Sequence, residues 1–402
     1  MGSAKLAPAD RREAVSRMEP LLIGDGARHR PLADLAVQLA QKAAGFRRSL
    51  PPSLVASLAD LVRSMNCYYS NLIEGHDTHP IDIERALRND FSSDPRQRDL
   101  QLEAAAHVDV QRWIDGGGLS GPATDAENIR EIHRRFCARL PADLLRVEDP
   151  VTGKSVPVLP GELRRRDVQV GRHIAISPGA VPRFLDRFAQ VYGRLGATDA
   201  ILATAAAHHR LLWIHPFVDG NGRVVRLVSH AMLLSALDTG AVWSAARGLA
   251  RNVETYKRHL AACDLSRRND LDGRGDLSEE TLADFTRFFL ATCIDQVDFM
   301  EGLVQPDRLR ARILLWAREE AELGLLPAKA AAILEALLYR GELPRADIAD
   351  IAGTGPRQAS RFIAALVERG VLTSDTPYGP LRLVFTATLA ARWLPGLFPE
   401  RR

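Results

Sequence analysis

The chain predicts a mainly α-helical protein, on three observations. Ala, Leu and Arg recur in long helix-forming runs, strand-like alternation is scarce, and apolar residues fall at helical spacing, as in LADLAVQLAQKAAGF and LVASLADLVRSM. At 402 residues the chain is long enough for two or three domains around a sizeable core. No internal repeat or low-complexity segment interrupts it.

Taken in order, the sequence from Leu32 to about Ile114 reads as helices, and DGGGLSGP, Asp115 to Pro122, is the clearest linker. A second helical region from about Thr124 to Leu265 opens with DAENIREIHRRFCARL. Within it, DVQVGRHIAI (Asp167 to Ile176) alternates around Gly171 and reads as a short β insertion. The polar stretch Ser266 to Asp276 leads into a helix with Phe285, Phe288 and Phe289 at core spacing. From about Pro327 the pattern changes to short helices followed by a β-hairpin. The expected units are an N-terminal helical subdomain (1–115), a central core (122–300) and a C-terminal domain (321–402).

Composition bounds the function. A net charge of +3 is too small to argue for nucleic acid by itself. Cys67, Cys137, Cys263 and Cys293 have no CxxC spacing, so they read as reduced thiols and mostly core filler rather than metal ligands. The N-terminal MGSAKLAPADRREAV lacks the apolar run of a signal peptide, and Leu6 breaks the myristoylation pattern. No uninterrupted apolar stretch approaches the roughly 18 residues a membrane span needs. The expectation is a soluble, cytoplasmic protein without a membrane partner.

The most informative segment is HPFVDGNGRVVR, His215 to Arg226. Gly220 and Gly222 flank Asn221 and allow a tight turn whose backbone N–H groups form an anion site, at the N-terminus of the helix that starts near Arg223. Arg223 and Arg226 are three apart, so two guanidinium forks share a helical face and reach neighbouring phosphates. Asp219 can hold a divalent ion that bridges phosphate oxygens. His215 is the side chain here that changes protonation near neutral pH.

This segment matches the Fic family signature HPFx[DE]GNGRxxR at every fixed position, and AAAHHRLLWI (Ala205 to Ile214) resembles the helix that leads into it. Val225 departs from the small residue the family mostly has there. The resemblance implies a Fic helical core with a short β-hairpin flap, which usually transfers AMP from ATP to a hydroxyl of a target protein. It implies His215 as the base and Asp219 as the Mg2+ ligand. Gly220, Asn221, Gly222 and Arg223 would line the α- and β-phosphates, and Arg226 would meet the γ-phosphate.

Other segments extend the resemblance. SNLIEG ends a helix with Ser70 and Glu74 on one face and Gly75 as its stop, which alone is an ordinary helix end. It resembles the family's inhibitory motif [ST]xxxE[GN], in the version N-terminal to the core, and HDTHPIDIERAL resembles the same subfamily. This implies that Glu74 pairs with Arg226 and occupies the place of the γ-phosphate contact. A carboxylate in a partly desolvated cleft competes directly with a phosphate for one fork. PGELRRRDVQVGRHIAISP (Pro160 to Pro178) resembles the flap that pairs with an extended target segment, with Val168 and Val170 as contact residues, whereas Arg164, Arg165 and Arg166 by themselves read as a solvated basic loop. NVETYKRHLAACD looks like the helix that closes over the adenosine, with Tyr256 and Asp264 as candidates, and core packing of Tyr256 stays equally open. Lys257 stands there in place of a second aromatic.

The C-terminal sequence reads as three helices with turns at Gly341 and Gly353 to Gly355, Pro356 opening the third. TSDTPYGPLRLVF follows as a wing around Tyr378 and Gly379. This resembles a winged helix-turn-helix domain whose third helix presents Arg357, Gln358, Ser360 and Arg361 for phosphate or base-edge contact. Residues 327–402 hold ten Lys and Arg against seven Asp and Glu, a weak footprint for a DNA reader, so a folding or dimerisation unit stays open. The reading is an autoinhibited protein adenylyltransferase using ATP and Mg2+ on an unidentified target protein. Its rivals are a nucleotide-sensing, DNA-binding transcription regulator, or the same fold with AMP removal, another nucleotide or phosphate transfer. The sequence leaves a homodimer open.

Overall fold

The structure, a computed structural model, describes residues 8–149 and 153–399. Residues 1–7, which carry the acylation reading and the start of the leader reading, lie outside the described residues. The chain is mainly helical. The first helices are α1 (His29–Arg48), α2 (Pro52–Ile73), α3 (Pro80–Leu87), α4 (Pro95–Asp115) and α5 (Ala126–Ala138). Three of these, α2, α3 and α4, open on proline at the first position, where its missing N–H costs nothing. α2 buries Leu54, Leu58, Leu61, Val62 and Met65 at helical spacing, then ends at Glu74 as Gly75 turns the chain.

Two short hairpins follow, β1 (Arg146–Glu148) with β2 (Ser155–Pro157), and β3 (Gln169–Val170) with β4 (His173–Ile174), both antiparallel. The second is the alternating insertion expected around Gly171. Next come α6 (Val181–Tyr192), α7 (Ala197–Ile214), α8 (Asn221–Ala236), α9 (Ala245–Arg251), α10 (Val253–Cys263) and α11 (Glu279–Val304). α7 is buried almost all round and packs on α8, α6 and α11, which makes it the central helix. Phe285 and Phe289 are buried on α11, while Phe288 stacks on His259.

The C-terminal part consists of α12 (Pro306–Glu322), α13 (Ala330–Arg340), β5 (Glu342–Leu343), α14 (Asp347–Ala352), α15 (Pro356–Glu368), β6 (Leu372–Thr373), β7 (Leu381–Leu383) and α16 (Ala387–Trp393). Its three strands lie in the order β5-β7-β6, all antiparallel. This part packs on the helix that carries Ser70: Tyr69 Oη donates to the Leu397 carbonyl at 2.9 Å, and Phe398 meets Tyr68 edge-on. One apolar core runs from Met18 to Leu397. All four cysteines are free and buried. Among the described residues no helix is long and apolar enough to cross a membrane.

Candidate active site

The site is built on the turn between α7 and α8. His215 closes α7 in a left-handed conformation (φ 51°, ψ 63°), which a non-glycine residue holds only when its surroundings fix it. Gly220 precedes α8 at φ 79°, a conformation open to glycine. The Asn221 side chain spans the turn, accepting from the Phe217 N–H and donating to the Phe217 carbonyl, each at 3.0 Å. Its amide is therefore committed to bracing the loop, and its part in an anion site is the backbone it holds. The first amides of α8 have no helical acceptor, and the helix dipole adds positive character there.

Arg223 and Arg226 project from the first turns of α8 and are 6 % and 5 % exposed. Arg226 Nε donates to Ser70 Oγ at 2.8 Å, and Nη2 to the Ser70 carbonyl at 3.1 Å and to Glu74 Oε1 at 2.5 Å. Glu74 lies so close over the turn that a Cβ on Gly222 would stand 2.2 Å from its carboxylate oxygen. Burial works against the Glu74 charge, but the Arg226 guanidinium outweighs it and holds the carboxyl below its ordinary range. Arg223 Nη1 sits 3.0 Å from Glu103 of α4, and its Nη2 sits 3.8 Å from Asp219. Its Nε and Nη1 are buried without a well-formed hydrogen bond, an unmet demand that an incoming anion would satisfy.

His215 lies at the edge of a groove of about 870 Å³ between the β1–β2 and β3–β4 hairpins. Val168 and Val170 line it, the latter 49 % exposed. Burial, helped by the Arg164 and His173 charges, pulls the His215 imidazole down to about 4, so it is neutral and ready to accept a proton at neutral pH. Asp219 keeps 48 % of its side chain exposed beside the turn. Among the described residues no three His, Cys, Asp or Glu side chains gather as a metal cage.

Of the two placements open to Tyr256, facing a nucleotide or packing in the core, the structure has the second. It is 2 % exposed, turned into the core toward Phe285, and its hydroxyl lies 2.6 Å from His208 Nε2. Ser229 Oγ donates to the Val225 carbonyl and so accepts from His208 Nδ1 at 2.8 Å. That leaves His208 Nε2 to accept from Tyr256. The tyrosine thus supports the wall behind Arg226. Asp264 pairs with His209 at 3.0 Å.

Three residues near the site, Glu103, His76 and His133, carried no functional assignment in the sequence, and Arg164, which by itself reads there as part of a solvated basic loop, is buried instead. Arg164 is 2 % exposed and spans the base of the flap. Glu103 bridges Arg223 and His76, whose Nδ1 lies 2.6 Å away. His133 stacks on Phe217 at 3.9 Å and accepts from the Gly161 N–H at 2.8 Å, tying the flap approach to the turn. Its signal was present: it falls on the buried stripe of Ile129, Ile132 and Phe136.

Residues 123–233 match the Fic/DOC family. The chain is 28% identical over 171 residues to a protein adenylyltransferase Fic of Drosophila erecta, covering 42% of this chain and 32% of that protein. The Drosophila melanogaster protein of the same name is 29% identical over the same share of each. The match thus spans about a third of the length of these curated relatives. A Fic family protein from Desulfovibrio desulfuricans G20 shares the fold with a TM-score of 0.50 at 18% identity, over 88% of this chain and 95% of that one.

Proposed function

We propose, from the Fic/DOC family domain that the chain carries at residues 123–233, that it is an autoinhibited protein adenylyltransferase. The carrying observation is the juxtaposition of a neutral His215, open to a strand-walled groove, with two buried arginines at the start of α8. In the proposed reaction a Ser, Thr or Tyr hydroxyl of an extended target segment lies along the flap beside Val168 and Val170. His215 takes the hydroxyl proton, and the oxygen bonds to the α-phosphorus of ATP. The bond to the β-phosphate bridging oxygen breaks, and pyrophosphate leaves with that electron pair.

The backbone of the 220–222 turn and Arg223 would hold the α- and β-phosphates, and Arg226 the γ-phosphate. Asp219 would hold magnesium, which supplies positive charge against the phosphate oxygens. An imidazole at about 4 is a weak base by itself, and the phosphate charges would raise it toward useful strength. The Arg226–Glu74 pair supports the autoinhibited form, because it fills the fork the γ-phosphate would use.

The deciding experiment incubates the Glu74→Gly protein with ATP labelled on the α- or the γ-phosphate. Label retained on protein from the α position alone is expected. Retention from γ means phosphate transfer, and retention of neither removes the transferase reading. A second reading, DNA contact by the C-terminal part, is favoured by Arg357 and Arg361, both exposed on α15. Replacing both with Ala should then flatten the salt dependence by about 0.9 in log–log slope per lost phosphate contact.

A further inference from the structure

We propose that Arg164 is a positioning residue for His215, tying the end of α7 and both stems of the flap into one unit, so that the base and the strand receiving the target keep a fixed spacing. Its Nε donates to the His215 carbonyl at 2.7 Å and its Nη2 reaches the Ile214 carbonyl at 3.4 Å. From the same guanidinium, Nη1 donates to the Arg166 carbonyl at 2.8 Å and Nη2 to the Ile176 carbonyl at 2.5 Å. Residues 166 and 176 are the two stems of the β3–β4 hairpin. The Arg164 N–H also donates to the Pro216 carbonyl at 2.9 Å. Every one of these acceptors is a backbone oxygen, on the two structures whose relative placement the reaction needs.

The charge of Arg164 is unusual for a group 2 % exposed. The carboxylates that act on it, Asp167 and Glu13, do so through space and are bonded elsewhere, Asp167 to Arg11 and Glu13 to Ser177. Burial pulls the guanidinium down to about 10, which still leaves it charged. Such a charge is costly to bury, and in some proteins a buried ionic group is kept because it fixes one geometry. The planar fork with five fixed donors spans four carbonyls at once, which an ammonium on a flexible stem cannot do. The carbonyls at the end of α7 suit the cation because they lie at the negative end of the helix dipole. With the His215 carbonyl tied, its left-handed backbone is held, and the direction of its imidazole with it.

The activity arm of the test rests on the AMP-transfer reading, and the second arm does not. In full-length Glu74→Gly protein, Arg164→Lys keeps the charge and loses the fork, whereas Arg164→Met loses both. Transfer is measured as kcat and as KM for ATP, with folding checked by thermal denaturation. The His215 imidazole is titrated by NMR with labelled histidine. His215 faces Arg164, His173 and Glu74, so in this background Arg164 is the one charge that changes. Both variants should lose about 10²-fold in kcat with KM for ATP within threefold, as expected for a misplaced reacting group. In Arg164→Met the His215 titration should move from about 4 toward its ordinary 6.5, and in Arg164→Lys it should stay low.

A kcat within threefold of the background in both variants overturns the proposal, as does a loss confined to KM for ATP. Should Arg164→Met fail to fold, Arg164→Lys decides the kinetic arm alone. If Glu74→Gly itself transfers no AMP, the transferase reading fails, and the titration still decides the link from Arg164 to His215. An unmoved His215 titration in folded Arg164→Met overturns it.

Discussion

Arg223 and Arg226 stand one turn apart on α8, equally buried, and each faces a carboxylate from the N-terminal helices, yet the two pairs are built differently. Glu74 sits at the end of α2, keeps 34% of its side chain exposed, and shares Arg226 with the hydroxyl and carbonyl of Ser70. Glu103 lies within α4, is 8 % exposed, and is bonded on its other side to His76. A carboxylate at a helix end leaves by a change in the last turn. One in the middle of a packed helix leaves only if the helix moves. The difference separates a displaceable contact from a fixed counter-charge, although both pairs look alike as salt bridges.

The largest expected effect tests the displaceable side. Glu74→Gly frees the Arg226 fork and should raise AMP transfer by roughly 5- to 150-fold, the span of a coupling of about 1–3 kcal/mol. Adding His215→Ala should remove that gain and lower the rate by about 10²–10⁴ through loss of the general base. Transfer that persists in the double variant would dissociate Glu74 from this chemistry. Glu103→Gln is the matched change on the other side and should not activate. It leaves Arg223 buried opposite a neutral amide, so the thermal midpoint should fall and ATP affinity change by a few-fold at most. Activation comparable to Glu74→Gly would erase the distinction between the pairs.

The same contrast marks what the sequence discloses. The turn from His215 to Arg226 is legible because its bonds are local: Asn221 braces Phe217 four residues away, and the arginines share a face by spacing alone. Ser70 and Glu74 lie more than 150 positions from Arg226, so helix periodicity finds their shared face but only resemblance names their partner. Glu103, His107 and Gln111 recur every four residues on α4 and are all buried, with Glu103 toward Arg223, a placement that spacing alone does not reveal. Arg164 hides in a run of three arginines, and its burial depends on carbonyls some fifty residues away. The β1–β2 hairpin is not legible because three-residue strands are too short to set up a recognisable period. For Tyr256 the sequence left an adenosine-facing and a core-packed placement open, and packing against Phe285 with the bond to His208 turns it inward.

The smallest expected effect asks whether the α2 end responds to what holds it from outside. Tyr69 precedes Ser70 directly, and its hydroxyl donates to the Leu397 carbonyl at 2.9 Å. The Arg247 guanidinium, which donates to the neighbouring Gly396 carbonyl at 2.9 Å, lies 5.8 Å from the Tyr69 ring. The C-terminal segment therefore bears on the last turns of α2, next to the residues that engage Arg226. Tyr69→Phe removes one buried hydrogen bond, keeps the ring, and leaves the Leu397 carbonyl short of a donor. That costs on the order of 1 kcal/mol, spread over the whole helix rather than concentrated at Glu74. Basal transfer should rise by no more than about threefold, with a small drop in thermal midpoint. Among the described residues Glu103 on α4 makes no bond to this segment, so Tyr69→Phe combined with Glu103→Gln should show the two changes in thermal midpoint adding. Combined with Glu74→Gly, by contrast, Tyr69→Phe should add nothing to the rate, because the contact it loosens is already gone. A further rise in that double variant would mean that the C-terminal segment reaches the reaction by a route other than the end of α2.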